Sequence, residues 1–142
     1  MHIQEWKIFA LGSAMFAALT AILAKMGLRG ISSNFATLIR TLVVALLISC
    51  LIWFRREWRN PFALDKESLV FLVLSGLATG LSWLCYFRAL QTGPASLVSS
   101  IDKSGLFFAV ILSILFLGER LNLYEWFGAF LVLIGTLILV WK

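Results

Sequence analysis

Five long apolar stretches, separated by short polar joints, account for nearly the whole chain. They run over residues 6–26, 34–54, 69–88, 95–117 and 124–141. Each has the length of a helix that crosses the ~30 Å hydrocarbon layer of a bilayer, which takes roughly 20 residues. A spanning segment must satisfy its own backbone hydrogen bonds, so only helices and closed barrels qualify. Barrel strands are about ten residues long and alternate strictly between apolar and polar. These stretches are longer and do not alternate, so the pattern predicts five transmembrane helices and an all-α integral membrane protein. Only the joint over residues 55–68 is longer than a turn, so no soluble domain is expected. Trp6, Trp53, Phe54, Tyr124, Trp126 and Trp141 fall at stretch ends, where aromatic rings sit at the headgroup level.

Composition agrees with that reading. The 142 residues are 61% hydrophobic and only 13% charged, whereas soluble domains carry about 25% charged residues. The first stretch is long for a signal peptide and no convincing cleavage site follows it, so it is expected to stay as a helix. Cys50 and Cys85 fall at opposite membrane depths, too far apart for a disulfide. They read as small buried thiols. His2 has no metal-ligand companions, so neither a metal nor a cofactor is expected. No nucleophile–base constellation appears either, which argues against an enzyme.

Charge adds a polarity. Five crossings put the termini on opposite sides, here side A for the N-terminus and side B for the C-terminus. Side A and its half of the helices hold six bases (Lys7, Arg55, Arg56, Arg59, Lys66, Arg120) and six acids (Glu5, Glu57, Asp65, Glu67, Glu119, Glu125). Side B holds six bases (Lys25, Arg29, Arg40, Arg88, Lys103, Lys142) and the single acid Asp102, so it carries the entire net charge of +5. Orientation follows Lys and Arg counts rather than net charge. The count is six to six, or six to four if the intramembrane Arg40 and Lys103 are excluded, which specifies it weakly. The cluster from Arg55 to Lys66 favours a cytoplasmic N-terminus, and insertion in both orientations is compatible with the pattern. The side-B bases have two readings. Lys25, Arg29, Arg88 and Lys142 either snorkel to headgroups or line a basic pocket for an anion. Arg40 and Lys103 lie deeper, where snorkelling explains less.

Polar residues also fall into helical stripes at i, i+3, i+4 and i+7. The third stretch carries Ser75, Thr79, Ser82, Trp83 and Tyr86; the second carries Asn34, Thr37, Arg40 and Thr41. The first carries Ser13, Ala17, Thr20 and Ala24, and the fourth carries Ser96, Ser99, Ser100, Asp102, Lys103 and Ser104. Such stripes either let helices pack closely, as Gly76 and Gly80 would, or line a cavity. Trp83 and Tyr86 favour a cavity on the third. Asp102 and Lys103 are sequence neighbours whose side chains diverge by about 100° on a helix. Each is therefore expected to need a partner on another helix, a second subunit, water or a ligand. Arg40 is a candidate partner for Asp102. Intramembrane ionisable groups are functional candidates by default. The candidate substrate-binding set is Arg40, Trp83, Tyr86, Ser99, Asp102 and Lys103.

The segment Leu115–Val140, "LFLGERLNLYEWFGAFLVLIGTLILV", resembles the end of the EamA domain of the drug/metabolite transporter superfamily. The segment Tyr86–Lys103, "YFRALQTGPASLVSSIDK", resembles that family's hairpin between its third and fourth helices. The resemblance covers essentially the whole chain as one domain over residues 1–142 and points to the short, single-repeat bacterial and archaeal branch. Longer members often carry an uncharged stretch ending in Pro where this chain has Asp102 and Lys103, which weakens any transfer of their substrates. The resemblance implies one half of a ten-helix inverted-repeat fold, with a central cavity lined by the first, third and fourth helices of each repeat. It implies a small-solute or drug transporter subunit in the inner (plasma) membrane, working by alternating access. A lone repeat supplies half a cavity, so a dimer is expected, antiparallel if both copies are this chain, or a heterodimer with another single-repeat protein. The alternatives are a flippase for a lipid-linked phosphate headgroup and a non-transporting scaffold subunit. Nucleic acid is not an expected partner.

Overall fold

A computed structural model of the chain describes residues 5–141. His2 and Lys142 lie outside the described residues. Within them the secondary structure is helical throughout: α1 (Glu5–Gly27), α2 (Ser33–Arg55), α3 (Lys66–Thr92), α4 (Ala95–Lys103), α5 (Gly105–Leu112) and α6 (Leu123–Val140). A 3₁₀ turn, Pro61–Ala63, lies in the long joint, and a π turn, Ser113–Leu117, extends α5. Five spans are long and apolar enough to cross a membrane, with Ala95–Leu117 counting as one.

The ends follow local chemistry. Ser32 caps α2, its hydroxyl accepting from the Phe35 amide at 3.4 Å. The Asp65 carboxylate accepts from the Ser68 amide at 3.2 Å and starts α3. Asn122 and Glu125 form a reciprocal capping box at the start of α6, with bonds of 2.9 and 2.8 Å. Each pair satisfies amides that have no partner in the first turn of a helix. Gly118 takes φ +67 after the π turn, a left-handed backbone that glycine reaches without steric cost. This turn lies in the Leu117–Arg120 stretch, "LGER", of the segment that resembles the EamA domain. Hydropathy places α3 at residues 69–88, but the helix runs from Lys66 to Thr92. The apolar core of a span is shorter than its helix, which continues into the headgroup zone.

The fourth span departs further from expectation. An unbroken helix over 95–117 is predicted, yet α4 stops at Lys103 and α5 begins at Gly105. At the break the Ser104 amide bonds to the Ile101 carbonyl at 2.9 Å, and the Phe107 amide bonds to the Ser104 carbonyl at 3.0 Å. Both are three-residue bonds, so the helix tightens locally to 3₁₀ geometry. The Ser104 hydroxyl also donates to the Ile101 carbonyl at 2.6 Å, and the next residue is a glycine with low helix propensity. Side-chain competition for a backbone acceptor and a weak helix former are ordinary causes of such a break.

The chain packs as two compact units. One comprises residues 24–91; the other joins residues up to Leu23 with Thr92 onward. In the second, α6 packs on α4 and α5; its buried residues are Ala21, Val98, Ala129 and Thr136. In the first, burial concentrates where α1 ends, α2 begins and α3 ends: Leu28, Ser33, Thr37, Phe87 and Leu90. Two side chains tie these ends together. Lys25 Nζ donates to the Leu90 carbonyl at 2.6 Å, and Gln91 Nε2 donates to the Ile31 carbonyl at 3.0 Å. The last turn of α3 has no base of its own. Lys25 therefore supplies the cation that the negative end of its helix dipole favours, and it satisfies a carbonyl left over at the helix end.

Candidate functional site

Within the 24–91 unit, Arg40 of α2 reaches α3. Its guanidinium carbon lies 4.1 Å from the ring centre of Trp83 and 5.3 Å from that of Phe87. Trp83 and Phe87 are four residues apart, so their rings share one face of α3, one turn from each other. Tyr86 stands beside them, its ring 6.4 Å from Phe87 at an interplanar angle of 66°. Phe87 is only 3% exposed, while Trp83, Tyr86 and Arg40 are half-buried. The Arg40 charge thus meets aromatic faces. Among the described residues of the unit, no carboxylate pairs with it.

The magnitudes agree with this arrangement. An arginine at the centre of a spanning helix costs roughly 2.5–3.5 kcal/mol on insertion scales. A desolvated cation over an aromatic face gains about 2 kcal/mol, and an exposed one about 0.5–1. Two rings can offset most of the cost of one arginine. They do so through the ring faces, leaving guanidinium N–H groups that a carboxylate partner would have occupied.

The neighbouring hydroxyls do not compete for that role. Thr37 and Thr41 donate to the carbonyls of Ser33 and Thr37, both at 2.8 Å, and Thr79 donates to the Ser75 carbonyl at 2.9 Å. Their hydrogens are used within their own helices, so they face a ligand as acceptors. The polar stripes of α2 and α3 therefore offer fewer donors than the sequence suggests, and Arg40 is the group there suited to an anion.

Side-B bases of the same unit have defined contacts. Besides Lys25, the Arg88 guanidinium donates to Gln91 Oε1 at 3.0 Å. Lys25, Arg29 and Gln91 line an open cleft of about 190 Å³ together with Met26, Leu28 and Leu90. Snorkelling to headgroups therefore does not describe Lys25, which holds the end of α3.

The other predicted residues lie in the second unit, on α4. Ser99, Asp102 and Lys103 share a helix face by their spacing. Asp102 and Lys103 do not diverge as expected. Lys103 Nζ lies 3.7 Å from Asp102 Oδ2, with side chains 53% and 45% exposed. The ideal 100° separation applies to the Cα–Cβ vectors, and the long, flexible lysine chain reaches back to its neighbour's carboxylate. An ion pair this exposed is worth little in water, about 0–1 kcal/mol.

Phe87 and the Lys25–Leu90 bond were not foreseen. Phe87 reads as one more apolar residue, although its spacing of four from Trp83 carries a signal once Arg40 is placed opposite.

Comparison with known proteins places the chain. Its sequence is 47% identical over 136 residues, 96% of each chain, to an uncharacterized transporter encoded in the cobO 3′ region of Sinorhizobium sp.. It is 33% identical over 93 residues to an uncharacterized protein of Methanocaldococcus jannaschii, 66% of this chain and 67% of that one. It is 31% identical over 78 residues to the pseudopaline exporter CntI of Pseudomonas aeruginosa, 55% of this chain and 28% of that one. No solved structure matches significantly. The EamA-like transporter family model matches residues 4–141, essentially the whole five-span fold, and the chain belongs to that family.

Proposed function

We propose that this multi-pass membrane protein is one subunit of a secondary transporter for a small solute bearing an anionic group. Two copies inserted in opposite orientations would build the cavity, and alternating access would carry the solute across the inner membrane. The observation that carries the reading is the Arg40 guanidinium held by Trp83 and Phe87 at 4.1 and 5.3 Å, without a carboxylate from its own unit. Family membership supports transport. A relative named as an exporter of pseudopaline supports outward movement of the cargo. In this reading Arg40 meets the anionic group beside the aromatic wall of Trp83 and Tyr86, while Ser99 and Lys103 are the substrate-binding candidates of α4 in the other unit. Asp102, the lone acid of the side-B half, carries the coupling proton or pairs with a cationic part of the solute.

Thermal stability in detergent, measured against panels of small carboxylates, organophosphates and organic cations, tests the anion site. An anion that raises the Tm of the wild type but not of Arg40→Gln supports it. Stabilisation by cations alone, or equal stabilisation of both proteins, rules it out. For coupling, uptake into proteoliposomes should lose its pH dependence in Asp102→Asn. Unchanged uptake at every pH removes Asp102 from the proton path. The open cleft lined by Lys25, Arg29 and apolar side chains gives the flippase reading its own support. Stabilisation by a polyprenyl phosphate, but by no soluble anion, favours that alternative.

A further inference from the structure

At the opposite end of α2 the chain forms a second basic feature that the transport reading does not use. Arg56 takes φ 56 and ψ 34, and among the described residues it is the only non-glycine with positive φ. It stands where a helix usually stops on glycine. Its amide bonds to the Trp53 carbonyl at 3.2 Å, and the Glu57 amide bonds to the Ile52 carbonyl at 3.1 Å. This double closure is the common glycine-terminated helix stop, with an arginine in the glycine position. The turn lines an open cleft of about 380 Å³ formed by Ile52, Trp53, Arg56 and Trp58. Trp53 and Trp58 are 78% and 71% exposed. Arg55 pairs with Glu57 at 3.9 Å. Arg56 and Arg59 have no carboxylate partner among the described residues.

The position narrows the occupant. The cleft sits at the end of a helix long and apolar enough to cross a membrane, the place where a spanning helix meets the lipid headgroups. Tryptophan prefers that level. Basic side chains there attract anionic lipids, and arginine matches phosphate oxygens with two parallel donors. A left-handed arginine is an outlier of the kind that points to a function rather than to stability. We infer that Arg56 holds the phosphate of an anionic phospholipid between Trp53 and Trp58, fixing the side-A end of α2 to the membrane surface, with Arg59, three residues on in the same joint, adding positive charge.

The test uses the full chain in a neutral detergent and native mass spectrometry with titrated phosphatidylglycerol or phosphatidylcholine. The wild type should retain phosphatidylglycerol at roughly tenfold lower lipid concentration than phosphatidylcholine, which carries the same phosphate but whose choline cation cancels the net charge that draws basic side chains to anionic lipid. Arg56→Gly combined with Arg59→Gln should erase that preference with Tm unchanged or raised, because glycine suits the left-handed position better. The double lysine variant should keep most of it. Equal retention of the two lipids by the wild type overturns the proposal, as does an undiminished preference in the Gly/Gln variant. Displacement of phosphatidylglycerol by millimolar inorganic phosphate, with phosphate adducts replacing it, would mean a free-anion site and also overturn it.

Discussion

Arg40 shows how a single residue sets the chemistry of the site. An arginine paired with a carboxylate would be a structural ion pair, and its removal would leave a buried acid uncompensated. An arginine held by Trp83 and Phe87 leaves no such orphan. Arg40→Gln is therefore expected to keep or raise Tm in detergent while abolishing anion-dependent stabilisation. A fall in Tm of many degrees instead would identify a structural ion pair. Arg40→Lys keeps the charge but loses the planar face that stacks on tryptophan. It should retain anion binding with affinity reduced about tenfold, the size of effect expected from one lost contact of ~1.4 kcal/mol. Sequence alone singles out Arg40, Trp83 and Tyr86, because charge and aromatic rings stand out in an oily run. It does not pair Arg40 with Trp83, since the two lie on different helices and nothing local encodes their contact. Phe87 is hidden for the opposite reason: in a membrane helix one more phenylalanine does not stand out, and its spacing from Trp83 becomes a signal only once Arg40 is placed opposite.

The helices themselves are legible because hydropathy and length answer the same physical question that the bilayer poses. Their ends are less so. The capping box of Asn122 and Glu125 and the turn at Gly118 are readable in "LGERLNLYE" once caps are sought. The break at Ser104 is not readable, since serine and glycine occur in many unbroken spans. Two predictions follow from local chemistry. Asn122→Ala should lower the unfolding free energy by about 1 kcal/mol through loss of the cap, measured by denaturant titration in mixed micelles, with Asn122→Ser retaining most of it. Gly105→Ala meets no atom within 4 Å of the new methyl group, so it should stabilise the helix by up to about 1 kcal/mol. If the break serves the transport cycle, the same variant should transport more slowly while melting higher. Transport at the wild-type rate would mark the break as incidental.

At the scale of the whole molecule, the exposed surface tells the most. Leucine, valine and phenylalanine side chains lie exposed along both sides of α2 and over most of α3. Lipid covers such a surface, and so does a second subunit. By the sequence reading, six bases fall toward each side, or six against four once the intramembrane Arg40 and Lys103 are set aside, a count that predicts weakly biased insertion. A single-repeat chain with weak orientation bias is suited to pairing with an inverted copy of itself. Adding three lysines to the joint around Asn60 should force a single orientation and reduce transport sharply. Coexpression with a copy biased the other way should restore it.

Orientation is where the account is most directly exposed to test. With Cys50 and Cys85 replaced by serine, a single cysteine introduced by Asn60→Cys can be labelled in intact cells with a membrane-impermeant reagent, before and after the inner face is opened. An antiparallel homodimer predicts two populations of similar size, one labelled from each face. Labelling confined to one face would contradict the homodimer and leave only a partner of opposite orientation to complete the cavity.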